Sequence, residues 1–266
     1  MNDISKSLEN LPAAGSRYTL KIEYSETRVM PEAARHVRSH RAVVGRKRSP
    51  LSEAFKVLRA QLLQRMRSQG WNSLAVTAPV GAASKSYTSI NLALTIAAEY
   101  DKTALLIDAD LGDPQLARLF GLGPVQGLTD HLLDGVALSE LVVNPGIDHL
   151  VLLPAGKAVA QSAELLGLDA NTLLIDELKS RYAQRYIIFD APPVTSAEGL
   201  SLFEKVDCVL LVAEGNLTSR AELEECRDLL RPYNLIGSVY CEPNPTESAD
   251  AVSRVEPEVA KRPGPK

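Results

Sequence analysis

The chain has 266 residues, of which 45% are hydrophobic and 23% are charged, and this ordinary globular composition excludes a wholly disordered or fibrous protein. Its 29 Lys and Arg residues against 33 Asp and Glu residues give a net charge of −4, which argues against a general nucleic-acid binder, because phosphate contacts need a basic surface. Three cysteines are too few for a disulfide scaffold in a chain of this length. The sequence shows neither a signal-peptide pattern nor an apolar run of about 20 residues, so we expect a cytoplasmic protein.

Residues 1–48 are predicted to form an N-terminal arm, distinguished from the following domain by its charge. Between Arg35 and Arg48 there are six basic residues and no acidic residue. A solvated linker would explain this run. Attraction to an anionic membrane face or to an acidic partner would also explain it, at about 1 kcal/mol per basic residue near such a surface.

Residues 49–241 alternate short apolar runs with segments of helical periodicity. A helix over Ser52–Arg67, with Ser49 or Ser52 as its N-cap, precedes the first strand. The strands are continuous runs of Val, Ile and Leu, which is typical of strands buried on both faces of a parallel sheet. The pattern therefore predicts an α/β fold with a doubly wound, mainly parallel sheet. The predicted strands are Leu74–Thr77, Thr103–Asp108, His149–Leu153, Tyr186–Asp190, Val206–Val212 and Ile236–Tyr240, and the later helices are Ser86–Tyr100, Ala163–Tyr182, Glu198–Glu204 and Thr218–Leu230.

The C-terminal segment 242–266 has a different composition from the predicted domain. It contains five prolines and almost no large apolar residues. Such a segment cannot bury enough surface to offset the entropy lost on ordering, so we expect a disordered tail.

The loop after the first strand has the context of a phosphate-binding loop. Strand Leu74–Thr77 leads into small residues, then Lys85 and Ser86, and then an amphipathic helix. In such loops, backbone N–H groups and the helix N-terminus converge on phosphate oxygens, while the lysine reaches the outer phosphates and the serine binds Mg²⁺. The strict pattern G-x-x-x-x-G-K-[ST] is not met, because Ser84 occupies the position of the glycine before the lysine. Taken alone, the segment is equally consistent with an ordinary strand–loop–helix turn.

Two further strands end in aspartates. Asp108 and Asp110 lie two residues apart, so both side chains are expected to project from the same face of a strand. Like charges this close repel each other unless a cation or proton lies between them. Asp190 ends a later strand, where a single aspartate could simply cap a loop. Because ligands of parallel α/β sheets bind at the carboxyl ends of the strands, all three segments together predict a site for a magnesium-bound nucleoside triphosphate beside Lys85 and Ser86.

Five segments carry a family resemblance. Asp108–Pro114 and Ile187–Pro193 resemble the second and third Walker-type motifs of the bacterial P-loop tyrosine kinases that work with exopolysaccharide co-polymerases. Leu153–Gly156 and Ser162–Leu166 are similar to segments usual in that family, and Ser49–Arg59 is similar to its oligomerisation segment. The chain is thereby identified as a member of this autokinase family with a degenerate phosphate-binding loop.

The resemblance implies a P-loop NTPase fold of the deviant-Walker type, with ATP and Mg²⁺ as cofactors. It implies that Asp108 is the base for the attacking tyrosine hydroxyl and that Asp110 and Lys85 act beside it. Phosphoryl transfer is mostly positioning and charge neutralisation, so few groups suffice. The implied nucleotide-binding residues are Gly81, Ala82, Ala83, Ser84, Lys85, Ser86 and Tyr87, and the implied metal ligands are Ser86, Asp110 and Asp190.

The resemblance also implies partners. A membrane polysaccharide co-polymerase, or chain-length determinant protein, would recruit the chain to the inner face of the cell membrane. A homo-oligomer would form through Glu53, Lys56 and Arg59, an acid followed by basic residues three and six positions later on one side of a helix. Solvation of these charges is the alternative interpretation, and no nucleic-acid partner is expected.

The phosphate-binding loop departs from the family pattern, which reads approximately Pro-Gly-Glu-Gly-Lys-[Ser/Thr]. Ala82 and Ser84 replace both glycines nearest the lysine, and a glycine occurs instead at Gly81. If these positions require a positive φ, each replacement costs about 1–2 kcal/mol.

The tyrosines are a second departure, because none of the eight lies beyond Tyr240, where the family usually has a phosphorylated cluster. Tyr18 and Tyr24 in the arm are possible substitutes. The function expected from the resemblance is that of an ATP-binding tyrosine kinase of exopolysaccharide biosynthesis and export. The alternatives are a non-catalytic relative that regulates the same machinery by binding, and a positioning or partitioning ATPase, whose usual early loop lysine is missing here.

Overall fold

The computed structural model describes residues 27–40, 49–79, 83–160, 162–181, 184–215 and 217–241. The predicted disordered tail 242–266 lies outside these described residues, as does the predicted arm apart from residues 27–40. Within the described ranges, no helix is both long enough and apolar enough to cross a membrane.

The described strands form one sheet with the predicted, mainly parallel architecture. The strand order is β1-β4-β5-β3-β6-β2-β7-β8, and the pairs are parallel except for the antiparallel pair of β4 with β5. All six predicted strands are confirmed, β3 with the predicted bounds and the other five with shifted ends. β1 and β4 have only two residues each and are too short to produce a recognisable pattern. The strands are β1 (Arg28–Val29), β2 (Ser73–Thr77), β3 (Thr103–Asp108), β4 (Val143–Asn144), β5 (Leu150–Leu153), β6 (Arg185–Asp190), β7 (Cys208–Glu214) and β8 (Leu235–Cys241).

Both faces of the sheet are covered by helices. On β3, Ala104 and Leu106 belong to one buried apolar cluster, while Leu105 and Ile107 belong to another on the opposite face. This alternation confirms the doubly wound α/β fold, because a parallel sheet is stable when both faces are buried. The helices are α1 (Pro31–His40), α2 (Pro50–Gln69), α3 (Ala83–Ala97), α4 (Leu116–Leu119), α5 (Leu128–Asp134), α6 (Leu138–Leu141), α7 (Ser162–Gly167), α8 (Asp169–Arg181), α9 (Ala197–Phe203) and α10 (Arg220–Leu229).

Helix α2 has clear signals at both ends. The Ser49 hydroxyl accepts a hydrogen bond from the Ser52 N–H at 3.1 Å, which identifies Ser49 as the N-cap. Pro50 follows at the first helical position, where its missing N–H costs nothing. Gly70 ends the helix with φ 73°, a left-handed conformation that favours glycine.

The predicted helix over Ala163–Tyr182 is wrong as a single element, because it breaks into α7 and α8 around Leu168. The Asn171 side-chain amide donates to the Leu166 carbonyl at 3.0 Å, and the Asn171 N–H donates to the Leu168 carbonyl at 3.1 Å. These bonds take the place of the continued helical ladder at the break, and Gly167 immediately precedes it.

Part of the predicted arm packs on the sheet. β1 pairs with β4, and on α1 the side chains of Ala33 and Val37 are buried in the same apolar cluster as α2 and α3. The basic Arg35 and Arg38 lie on the exposed side of α1. Residues 28–40 therefore form an amphipathic strand–helix extension of the core, a pattern that the charge of this region masks in the sequence.

Candidate nucleotide-binding site

Three adjacent strands bring the predicted site residues to one edge of the sheet. β6 lies between β3 and β2, and Asp108 at the end of β3 is in register with Asp190 at the end of β6. β2 leads through residues 78–82 to α3, which carries Lys85 and Ser86 in its first turn. The sequence prediction that the lysine and the strand-end aspartates lie together therefore agrees with the structure.

Lys85 is the buried cation among these carboxylates. Its Nζ donates to Asp110 Oδ2 at 2.8 Å and to the Ala191 carbonyl, and it lies 3.7 Å from Asp190 Oδ1. Burial alone would lower the pKa of Lys85, but the Asp190 and Asp110 carboxylates outweigh it and hold the pKa above its ordinary value. Lys85 is therefore charged and neutralises part of the acidic edge.

Two serine hydroxyls hold Asp190. Ser86 Oγ donates to Asp190 Oδ2 at 2.5 Å, and Ser89 Oγ donates to Asp190 Oδ1 at 3.0 Å. Burial raises the pKa of Asp190, while Lys85 and the two hydroxyls oppose this rise. The hydroxyl predicted to bind magnesium thus lies beside a carboxylate predicted to share the same ion.

The two carboxylate oxygens of Asp108 differ in their hydrogen bonding. Its Oδ2 accepts hydrogen bonds from the Gln115 N–H at 3.0 Å and the Leu116 N–H at 2.8 Å. Its Oδ1 is buried and has no hydrogen-bond partner among the described residues. Burial, together with the neighbouring Asp190 charge, raises the pKa of Asp108 to about 8. A carboxyl group with such a pKa can exchange a proton near neutral pH, which suits a general base.

The phosphate-binding loop is described only in part, because Gly81 and Ala82 lie outside the described residues. Ala83 and Ser84 begin α3, and His149 is the only non-glycine residue with positive φ in the described ranges. The strain expected from Ser84 is therefore not present, since this residue has joined the helix. Its N–H donates to Glu214 Oε2 at 3.3 Å, whereas its buried Oγ has no partner within those ranges.

The ring of Tyr87 belongs to a helix–helix contact. It packs edge-on against Phe55 of α2, with 6.0 Å between the ring centroids. The side chain of Tyr87 is partly buried and packs against the buried apolar cluster that contains residues of α2 and α3. The nucleotide-binding role of Tyr87 stays a prediction, and in this structure its aromatic ring packs against α2.

The donor set at this edge fits a magnesium-bound nucleotide. Ser84 Oγ and Asp108 Oδ1 are buried polar atoms without partners in the described part of the chain, as expected where a polar ligand completes the site. No group of three or more His, Cys, Asp or Glu residues there could hold a metal unaided. Mg²⁺ in phosphate-transferring sites is typically bound by one or two carboxylates, water and the substrate phosphates. Ser86, Asp110 and Asp190 can supply such a partial set.

Ser89 and Glu214 are site residues that sequence reasoning missed. Ser89 lies one turn after Lys85 on α3, and its Oγ is within hydrogen-bond distance of both the Lys85 carbonyl, at 3.1 Å, and Asp190 Oδ1, at 3.0 Å. The clue to Ser89 is its spacing of four from Lys85, which places both on one helix face. Glu214 is a charged residue that ends the otherwise apolar strand β7, the same signal that indicated Asp190.

The predicted oligomerisation residues make contacts within the chain. Lys56 Nζ pairs with Glu53 Oε1 at 2.8 Å on the exposed side of α2. Arg59 donates to the Thr95 carbonyl at 2.8 Å and pairs with Glu99 Oε1 at 2.8 Å, so its guanidinium links α2 to the end of α3.

The chain is similar in sequence to bacterial tyrosine-protein kinases, although no family model matches it. The putative tyrosine-protein kinase CapB of Staphylococcus aureus is 27% identical over 186 residues, which cover 69% of this chain and 79% of CapB. The putative tyrosine-protein kinase EpsB of Ralstonia solanacearum is 32% identical over 190 residues, or 70% of this chain. The match covers only 24% of EpsB and 23% of the Acinetobacter johnsonii tyrosine-protein kinase Ptk, so the chain corresponds to about a quarter of those relatives.

Solved structures show the same similarity in three dimensions. The VpsO kinase domain has a TM-score of 0.65 and 27% identity, covering 73% of this chain and 96% of that domain. The chimerical protein CapA2B2 has a TM-score of 0.68 and 25% identity, covering 76% of this chain and 89% of the chimera. The Pyrococcus horikoshii septum site-determining protein MinD, solved with Mg-ADP, has a TM-score of 0.53 and 18% identity over 63% of this chain and 68% of its own, and shares the fold alone.

Proposed function

The chain belongs to the family of bacterial tyrosine-protein kinases, and we propose that it binds Mg-ATP at the carboxyl edge of its sheet and phosphorylates tyrosine. One observation carries the proposal: Lys85 bridges Asp110 and the buried Asp190, beside Asp108, whose buried Oδ1 has no hydrogen-bond partner among the residues that the structure describes. Such an arrangement concentrates cationic and metal-binding groups beside a base, which phosphoryl transfer requires.

Each residue of the site has a role in this proposal. Lys85 would exchange a carboxylate for the outer phosphates, and Ser86, Asp110 and Asp190 would hold Mg²⁺. The metal ion supplies charge neutralisation on the phosphates when it is bound. Asp108 would accept the proton of the tyrosine hydroxyl at Oδ1, while the backbone N–H groups of residues 115 and 116 keep Oδ2 in place.

The exposed tyrosines are the candidate acceptors. Of those in the described ranges, Tyr100 is 71% exposed and Tyr240 is 43% exposed, whereas Tyr186 is buried. Tyr18 and Tyr24 lie outside the described residues. We propose phosphorylation between copies of the chain, because Tyr100 follows α3 at the amino edge of the sheet, opposite the site.

The proposal is tested by titrating the purified full chain with Mg-ATP and by following transfer of labelled phosphate to tyrosine. We expect binding and transfer, with phosphotyrosine located by mass spectrometry and reduced in Tyr100→Phe or Tyr240→Phe. Asp108→Asn should lower the transfer rate by about 10²–10⁴-fold, the usual contribution of a general base. Binding without transfer would contradict the kinase role and favour a regulatory protein, and hydrolysis without tyrosine transfer would favour a positioning ATPase.

We also propose that the chain acts in exopolysaccharide biosynthesis and export, at the inner face of the membrane, through a polysaccharide co-polymerase. The support is the family resemblance and the likeness to the CapA2B2 chimera. Fractionation of cells with and without the co-polymerase tests recruitment. We expect the chain in the membrane fraction only when that partner is present, and an unchanged distribution would contradict the proposal.

Assembly through α2 is a further part of the proposal, and it makes a specific prediction. The double variant Glu53→Ala, Arg59→Ala is expected to reduce the mass measured by light scattering, because charged residues on one side of α2 would bridge to a neighbouring copy. Glu99→Gln is the control, since it weakens the internal Arg59–Glu99 pair without changing α2. An oligomer that persists in the double variant would contradict the bridging role, as would an equal loss of mass in both proteins.

A further inference from the structure

The first turn of α3 already holds an internal anion. The Ser84 N–H, one of the helix N–H groups without an intrahelical acceptor, donates to Glu214 Oε2 at 3.3 Å. The positive end of a helix dipole favours a negative charge at this position. Phosphate groups bind helix N-termini through the same N–H groups. Glu214 therefore uses a donor that a nucleotide phosphate would need.

The backbone of Glu214 is firmly anchored. Its N–H donates to Thr218 Oγ1 at 3.0 Å, and its carbonyl accepts hydrogen bonds from the N–H groups of Leu217 and Thr218 at 3.2 and 2.8 Å. The next residue, Gly215, donates its N–H to the Cys241 carbonyl at 2.7 Å. Because this turn fixes the main chain at the end of β7, the carboxylate can leave Ser84 only by rotation of its own side chain.

The negative charge at this edge of the sheet opposes binding of a phosphate to the Ser84 N–H. β7 is the neighbour of β2, so Glu214 adds a carboxylate to the edge that already carries Asp108, Asp110 and Asp190. Lys85 is engaged with the last two of these. A phosphate arriving at Ser84 would thus meet a like charge on the donor it needs.

We propose that Glu214 is an internal competitor of the nucleotide phosphates and thereby sets the nucleotide affinity of the chain. In the ligand-free protein its carboxylate caps the first turn of α3. It turns away when a phosphate takes the Ser84 N–H. This inference rests on the proposed function, since the phosphates are those of the proposed nucleotide.

Calorimetric titrations of the full chain with Mg-ATP and Mg-ADP test the competitor role. Glu214→Gln keeps the size of the side chain and removes its charge, so it should bind both nucleotides about tenfold more tightly than the unaltered chain. Glu214→Ala, which removes the carboxylate altogether, should bind at least as tightly as Glu214→Gln. Glu140→Gln is the matched control, because Glu140 is exposed on α6, which leads into β4 at the far side of the sheet. This control should leave the affinity unchanged.

The outcomes separate this inference from the proposed function. If the unaltered chain binds and Glu214→Gln binds no more tightly than Glu140→Gln, the competitor role is overturned and nucleotide binding stands. Weaker binding by Glu214→Gln would also overturn it, since Glu214 would then contact the ligand favourably. If only the Glu214 variants bind, the competitor role is supported and the unaltered chain is not the proposed kinase. If no protein binds, both are rejected.

Discussion

Lys85→Met is expected to lower the free energy of unfolding of the ligand-free protein by about 3–5 kcal/mol at pH 8, because it leaves buried carboxylates without their cation. Lys85 is buried and lies within 4 Å of carboxylate oxygens of both Asp110 and Asp190. Methionine preserves much of the volume of the lysine side chain, so the decrease in the free energy of unfolding should come from the missing positive charge rather than from a cavity. Urea-induced unfolding measured at pH 5 and pH 8 provides the test.

The loss of stability caused by Lys85→Met is expected to increase with pH. Without Lys85, the pKa values of Asp108 and Asp190 should rise further, since the lysine opposes the rise at both residues. Both side chains are then protonated at lower pH, so the loss should be much smaller at pH 5 than at pH 8. Lys56→Met is the control, because the Lys56–Glu53 pair is exposed and should contribute little. Equal losses at the two positions would contradict the role of Lys85 as internal counterion.

Asp108→Asn is expected to increase the free energy of unfolding of the ligand-free protein by about 1–3 kcal/mol at pH 8.5, although the proposed base is lost. The pKa of Asp108 is about 8 in the folded chain against an ordinary value of 3.8. A carboxyl group whose pKa rises on folding contributes stability that is fully present below about pH 4 and is lost as the pH rises through 8. Asparagine stays neutral throughout, and its amide oxygen can still accept from the Gln115 and Leu116 N–H groups.

Urea unfolding at pH 5 and pH 8.5 tests the effect of Asp108→Asn. The variant should differ little from the unaltered chain at pH 5 and exceed it at pH 8.5. Asp110→Asn is the neighbouring control and should be destabilising, because Asp110 accepts the hydrogen bond from Lys85 Nζ at 2.8 Å. Destabilisation by both substitutions at pH 8.5 would show that the Asp108 carboxylate is stabilising, contrary to the raised pKa.

The part of the site that could be predicted from the sequence is the part built from aspartates at strand ends. Asp108 and Asp190 follow continuous apolar runs, and parallel strands place such ends at a common edge. The spacing of four places Ser89 on the same helix face as Lys85, but its contact with Asp190 depends on the distance between α3 and β6, which the sequence does not reveal. Glu214 shares the strand-end signal, but a single acid after β7 is also consistent with an ordinary turn.

The fold was predictable in its long elements and less so in its short ones. Buried strands such as β3 and β7 produce apolar runs that allow few alternatives. The two-residue strands β1 and β4 depend on pairing with distant residues and leave no periodic pattern. The break between α7 and α8 depends on the Asn171 side chain reaching the Leu166 carbonyl, a contact that helical periodicity does not reveal.

The packing of β1 and α1 bears on where the chain can be cut. A fragment beginning at Ser49 would remove the parallel partner of β4 and leave that strand with an unpaired outer edge. It would also uncover the apolar surface against which Ala33 and Val37 of α1 are buried. An open strand edge beside newly exposed apolar side chains invites association between molecules. Such a fragment could therefore form assemblies created by the truncation, and mass measurements on it would report on the cut rather than on α2.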